Sequence, residues 1–167
     1  MTADELELHD KRQSAIHEAG HTVIGTVHGS LYSPWLERSG TSNSRLEKTW
    51  IGHADNVLGG SDERVRALIG VAGAVADSLD LDPDITAQEI VERWECDPNS
   101  GPSPADRSII SSGGWERRLE AVATVRAILA EHWQFLESIV VELIEHDRVS
   151  MDRVLMLFAL HKPKKKK

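Results

Sequence analysis

The chain has 167 residues, 40% apolar and 28% charged, with 27 acidic against 19 basic side chains and a net charge of −8. That length suits one domain with a real core, and the acidic balance argues against a dedicated nucleic-acid binder. No apolar run reaches bilayer length, the opening residues lack the pattern of a secretory signal, and the lone Cys96 excludes an intrachain disulfide, so a cytoplasmic protein without a membrane span is expected.

A first helix is expected from about Asp4 to His28. Ile16, Val23, Ile24 and Val27 recur at helical spacing and give it a buried side. Its second half carries His17-Glu18-Ala19-Gly20-His21. Imidazoles four residues apart on a helix are offset by only about 40°, so both project into one small volume with Glu18 beside them. A zinc hydrolase needs this donor set: two nitrogen ligands, and a carboxylate to take a proton from water that the metal activates. Gly20 costs about 1 kcal/mol relative to Ala inside a helix, which suits a place where something must approach the backbone closely. His28-Gly29-Ser30 supplies a C-terminal cap.

From Gly29 to Gly60 the character changes. Pro34, Gly40, Gly52, Gly59 and Gly60 punctuate the segment, and Ser and Asn cluster between Ser39 and Ser44. Leu31 to Leu36 and Thr49 to Gly52 read as short strands of a small, irregular β region joined by that turn.

Ser61-Asp62-Glu63 can cap the next helix, whose Val65, Leu68, Ile69, Ala72, Ala76 and Leu79 keep helical spacing. Its Ala72-Gly73-Ala74 stretch would let another helix, such as the motif helix, pack closely. An acidic turn from Asp80 to Asp84 follows. Thr86 and Glu89 then fit a capping box for a short helix through about Trp94. Asp97 to Pro102 reads as a rigid loop, with Ser103 as N-cap of a helix beginning at Pro104. Ser112-Gly113-Gly114 is expected to interrupt. One long helix is expected from Trp115 to His146, and a last one capped by Ser150 and carrying Val154, Leu157 and Phe158. The predicted fold is therefore a mainly α single domain over residues 1–161, with 162–167 a basic, disordered tail.

Catalytic zinc takes three protein ligands and leaves a position for water. His28 lies two turns beyond His21, too far along the axis to share an ion. His53, His132, His146 and His161 are further candidates. Asp106 is the more attractive one, in the first turn of a helix after a Gly/Pro-rich loop. It also completes a capping box with Ser103, so the residues alone leave two roles open for it, ligand and cap.

The His17–His21 block, followed by Thr22-Val23-Ile24-Gly25, resembles the peptidase module of the FtsH-type zinc proteases, the proteolytic half of the membrane-bound AAA+ family. Ala72-Gly73-Ala74-Val75-Ala76-Asp77 is similar to that family's Gly-Arg-Ala-Ala-Glu-Glu helix. Gly101-Pro102-Ser103-Pro104-Ala105-Asp106 is similar to its Gly-Ala-Ser-Asn-Asp segment, and Ala127 through Leu157 to its closing helix pair. The likeness runs from about residue 10 to residue 160. It implies a helical metallopeptidase fold with Zn2+ bound by His17, His21 and Asp106, and with Glu18 as general base. Asp77 followed by Ser78 stands where the family has an acidic pair.

The resulting expectation is a zinc-dependent endopeptidase acting on peptides or unfolded protein, independent of ATP as an isolated chain. An extended substrate would lie along an edge strand within residues 46–58, with Trp50 and His53 lining the groove. A separate unfoldase or adaptor is the expected partner, and no nucleic acid. Two alternatives remain: a non-catalytic interaction protein that keeps the scaffold with or without the zinc, and a hydrolase of non-peptide amides.

Overall fold

In a computed structural model of the protein, residues 2–39, 50–56 and 62–162 are described. Thr2 starts the first helix, α1 (Ala3–Val27), through a reciprocal capping box with Glu5. Its first half is largely exposed, while residues from Ser14 to Thr26 are almost all buried. The helix ends in a Schellman motif: the Ser30 N–H donates to the Gly25 carbonyl at 2.8 Å and the Gly29 N–H to that of Thr26 at 3.1 Å. Gly29 has φ +79°, a left-handed conformation that glycine adopts without steric cost.

Two strands follow, β1 (Tyr32–Arg38) and β2 (Trp50–Asn56), paired antiparallel from Tyr32↔Asn56 to Arg38↔Trp50. Both are longer than expected. Their extra residues, among them His53, Asp55 and Asn56, are polar and do not look strand-like alone, but they pair across the ladder and sit on a half-exposed surface. Most of the Ser/Asn-rich turn lies outside the described residues. The second edge of β1 is covered by the segment after α7 (Trp133–His146): the Leu36 N–H donates to the Asp147 carbonyl at 2.7 Å and the Val149 N–H to that of Pro34 at 3.0 Å. Among the described residues only β2 keeps an open edge.

Helix α2 (Glu63–Leu81) is capped by Asp62 and runs two residues into the expected acidic turn. Then come α3 (Ala87–Cys96), with the expected Thr86–Glu89 box, a 3-10 turn at Pro98–Ser100, and α4 (Pro104–Ile109), with Ser103 as N-cap. Ser112-Gly113-Gly114 does not interrupt; it opens a short helix, α5 (Ser112–Glu116), capped by Ser111. The long helix expected from Trp115 to His146 is instead split among α5, α6 (Arg118–Glu131) and α7, with breaks at Arg117 and His132. Neither break carries Gly or Pro. The halves pack on different neighbours, α6 on α2 and α3, and α7 on α1, so one apolar periodicity continues through two helices. The last helix is α8 (Met151–Leu160), capped by Ser150.

The core is a single cluster around the buried half of α1, including Ile16, Ile24, Val75, Phe135, Ile139 and Leu143. Each such side chain contributes about 1.5–3 kcal/mol on burial. The fold is mainly α with a small two-stranded sheet, as expected. No helix among the described residues is long and apolar enough to cross a membrane. Of the basic tail, residues 163–167 lie outside the described residues.

Candidate metal centre

The crossing of α1 over α2 places the histidines. A Cβ built on Gly20 would come within 2.8 Å of the Ala72 carbonyl oxygen, and one on Gly73 within 2.4 Å of His17 Nε2. The helices therefore approach to a distance that only glycine permits, as the small-residue stretch suggested. Each imidazole is anchored by α2. The His17 Nδ1–H donates to Asp77 Oδ2 at 2.7 Å, and the His21 Nδ1–H donates to the Ile69 carbonyl at 2.7 Å. Both Nε2 atoms thus turn toward the same point.

Asp106 meets them there from α4. Its Oδ2 lies 3.3 Å from His17 Nε2 and its Oδ1 lies 3.3 Å from His21 Nε2. The same Oδ2 accepts from the Ser103 hydroxyl at 2.7 Å and the Ser103 N–H at 3.1 Å. The cap and the candidate ligand are therefore one carboxylate in one position. The N-cap of α4 fixes the residue that faces the histidines.

His17, His21 and Asp106 bring one donor atom each to within 4.8 Å of one another. Ligand atoms about 2.1 Å from a tetrahedral zinc sit roughly 3.4 Å apart. The 3.3 Å separations match that spacing and exceed the ordinary length of a charge-assisted hydrogen bond, about 2.7–2.9 Å. Two imidazoles and a carboxylate suit zinc chemically. A carboxylate and a carbonyl behind the imidazoles give the outer support that ligating histidines usually have. The residues fit the ion.

The electrostatics without metal are those of a buried ion pair. Burial lowers the His17 pKa, but hydrogen bonds to Asp106 and Asp77 outweigh it and hold the group at about 10. Burial pushes the Asp106 carboxyl up, yet hydrogen bonds from His17 and His21 keep it well below the ordinary carboxylate range. Without metal, His17 and Asp106 thus form an imidazolium–carboxylate pair, and a metal ion bound there would have to displace the His17 proton.

Glu18 is 7% exposed, and burial pushes its carboxyl upward against the opposing pull of His21 and His17. It lies under β2: a Cβ on Gly52 would be 2.4 Å from Glu18 Cγ and 2.6 Å from Oε1. Glu18 is thus confined between the motif helix and the strand.

These groups open into a cleft of about 1170 Å³, with β2 on one side and the segment from Pro98 to Arg107 on the other. Leu36 and Pro34 direct main-chain groups away from β2, toward Asp147 and Val149. Their partners Gly52 and Ala54 therefore occupy non-hydrogen-bonded positions and aim their own N–H and C=O outward from the open edge. Among the described residues nothing pairs with them there. Trp50 lines the cleft at its near end, with Lys11 4.4 Å above its ring. His53 does not: it sits on the other face of the sheet, stacked on Trp35 at 4.1 Å with Nε2 3.0 Å from Glu37. Of the remaining histidines, His132 is buried against Phe158, and His146 lies beside Glu145.

The structure adds partners that the sequence pattern left open or silent. Asp77 has a defined place behind His17. The Ile69 carbonyl, being main chain, has no residue signature. Gly52 was expected only as the end of a short strand, with no part in the site. Comparison with models of known protein families gives no match, and no curated protein sequence matches the chain.

Proposed function

We propose that the chain is a zinc-dependent endopeptidase. The observation that carries this reading is the convergence of His17 Nε2, His21 Nε2 and an Asp106 carboxylate oxygen, with buried Glu18 next to them and an open strand edge alongside. His17, His21 and Asp106 would hold the ion. When bound, it supplies Lewis-acid polarisation of a carbonyl and activation of water. Asp77 and the Ile69 carbonyl fix the ring orientations, which keeps both Nε2 atoms aimed at one point. Glu18 is the general base: its raised pKa suits a group that takes a proton from water near neutral pH and gives it to the leaving amine. An extended peptide adds to the sheet by pairing with Gly52 and Ala54, which places its backbone beside Glu18.

Backbone pairing asks for an unfolded segment, so peptides and unfolded protein are the substrates this geometry favours. A separate unfoldase or adaptor would extend the range to folded proteins. The single cysteine, Cys96, is free and exposed, which suits a reducing, cytoplasmic setting.

Metal analysis and hydrolysis of unfolded casein test the proposal together. Wild-type protein is expected to carry about one zinc per chain and to cleave casein without ATP, with cleavage lost to a chelator. Glu18→Gln should keep the zinc and lose at least about a hundredfold in rate, the scale of a general base. Asp106→Ala should lose zinc affinity. Stoichiometric zinc without hydrolysis of any peptide would favour a non-catalytic interaction protein; unchanged zinc affinity in Asp106→Ala would remove that residue from the site.

A further inference from the structure

Arg66, Arg93 and Arg107 are the only lysine or arginine side chains lining the cleft among the described residues. All three are exposed, and none forms an ion pair there. Elsewhere among the described residues Arg12 pairs with Asp80, Arg38 with Glu7, Arg118 with Glu95 and Arg153 with Glu142, while Arg64, Arg117, Arg126 and Arg148, like the three in the cleft, form no ion pair. Glu89, one turn before Arg93 on α3, interacts electrostatically with it, but the acids that line the cleft itself do not offset the three. Asp77 and Asp106 are taken up by the histidines, and Glu18 is buried beneath β2. Away from the metal centre the cleft walls thus present positive charge on a molecule of net charge −8.

Arg107 follows Asp106 on α4, and its guanidinium is positioned by an Nε–H bond to the Pro102 carbonyl at 3.3 Å and by stacking 4.5 Å over Trp115. Arg93, in the last turn of α3, is tied to the same wall by the Ser100 hydroxyl, which donates to the Arg93 carbonyl at 3.3 Å. Both belong to the wall facing β2. Arg66, on α2, lies one turn before Ile69, whose carbonyl holds His21, and also lines the cleft. A peptide paired with Gly52 and Ala54 points alternate side chains to either side.

We infer that the cleft selects peptide segments carrying Asp or Glu beside the bond to be cleaved, read by Arg66, Arg93 and Arg107. For cleavage, though not for binding, this rests on the peptidase reading above. Guanidinium–carboxylate pairs give the recognition. The protein's overall negative field is screened beyond about 8 Å at physiological salt, so the attraction is local and weakens as salt rises.

The test uses fluorescent peptides of one sequence with Glu, Gln or Lys at the positions flanking a fixed central bond. Binding is read by anisotropy on zinc-loaded Glu18→Gln protein, and cleavage on wild type. The Glu peptide should bind on the order of tenfold tighter than the Lys peptide, a preference reduced by salt. In Glu18→Gln protein that also carries Arg66→Gln, Arg93→Gln and Arg107→Gln, the ratio should fall to about one. Retained zinc and an unchanged thermal midpoint show that this combined variant folds. Preferential, arginine-dependent binding without any cleavage would uphold the inference and overturn the peptidase reading. Cleavage without preference would do the reverse. Equal binding of the three peptides, no binding, or a ratio unmoved by the arginine substitutions overturns the inference.

Discussion

Asp77 illustrates how one side chain can govern a site it does not enter. Its carboxylate takes the His17 Nδ1–H at 2.7 Å, which in the neutral imidazole fixes the tautomer whose Nε2 lone pair faces Asp106 and could meet a cation there. Replacement by Asn keeps the size but removes the charge behind the imidazole. Removing an outer-shell partner typically costs about 10–100-fold in metal affinity, and Asp77→Asn should fall in that range by competition with a chromophoric chelator. Affinity equal to wild type would mean that Asp77 does not support the ligand. Asp106 carries the opposite lesson: capping and ligation looked like rival roles, yet one carboxylate serves Ser103 and both histidines.

Among the elements, the contact between α1 and α2 sets the geometry of the centre. Gly73 faces His17 so closely that a methyl group there would sit 2.4 Å from Nε2. The ring is tethered at Nδ1, so it has little room to retreat. Gly73→Ala should therefore lower zinc occupancy in protein that keeps its helical circular-dichroism spectrum. Helix propensity by itself favours Ala over Gly by about 1 kcal/mol, so an unperturbed site would instead give a more stable, fully loaded protein. That outcome would show the crossing is looser than described. The sheet works by a similar economy: segment 147–149 closes one edge and leaves the other, above Glu18, open.

For the molecule as a whole, the pairing of His17 with Asp106 and Asp77 makes stability depend on pH, and a metal bound as proposed would change that dependence. Without metal, folded His17 holds its proton to about pH 10, above the ordinary 6.5. Its contribution is thus complete below about 6.5 and disappears as pH rises through about 10. Asp106, held below its ordinary 3.8, contributes above that value and loses its contribution in acid. The thermal midpoint of chelator-treated protein should accordingly fall from pH 7 to pH 10. Saturating zinc, which requires the unprotonated imidazole, should displace that proton and flatten the alkaline limb. A midpoint that rises over the same alkaline range without metal would contradict the described pairing of His17 with Asp106 and Asp77.

The sequence alone located most of the helices and several of their caps, because 3.6-residue periodicity and side chains such as Asp62, Thr86, Ser103 and Ser150 act over one or two turns. It also placed His17, Glu18 and His21 on one helix, since their spacing is local. It could not place the break at His132, where the apolar pattern runs on and only packing against different neighbours ends a helix. Nor could it tell that His53 turns away from the cleft while Gly52 clears room for Glu18, since that depends on which strand face meets α1. Bringing Asp77 and Asp106 to His17 joins groups 60 and 89 residues apart in the chain, and only the tertiary fold holds such distant groups together.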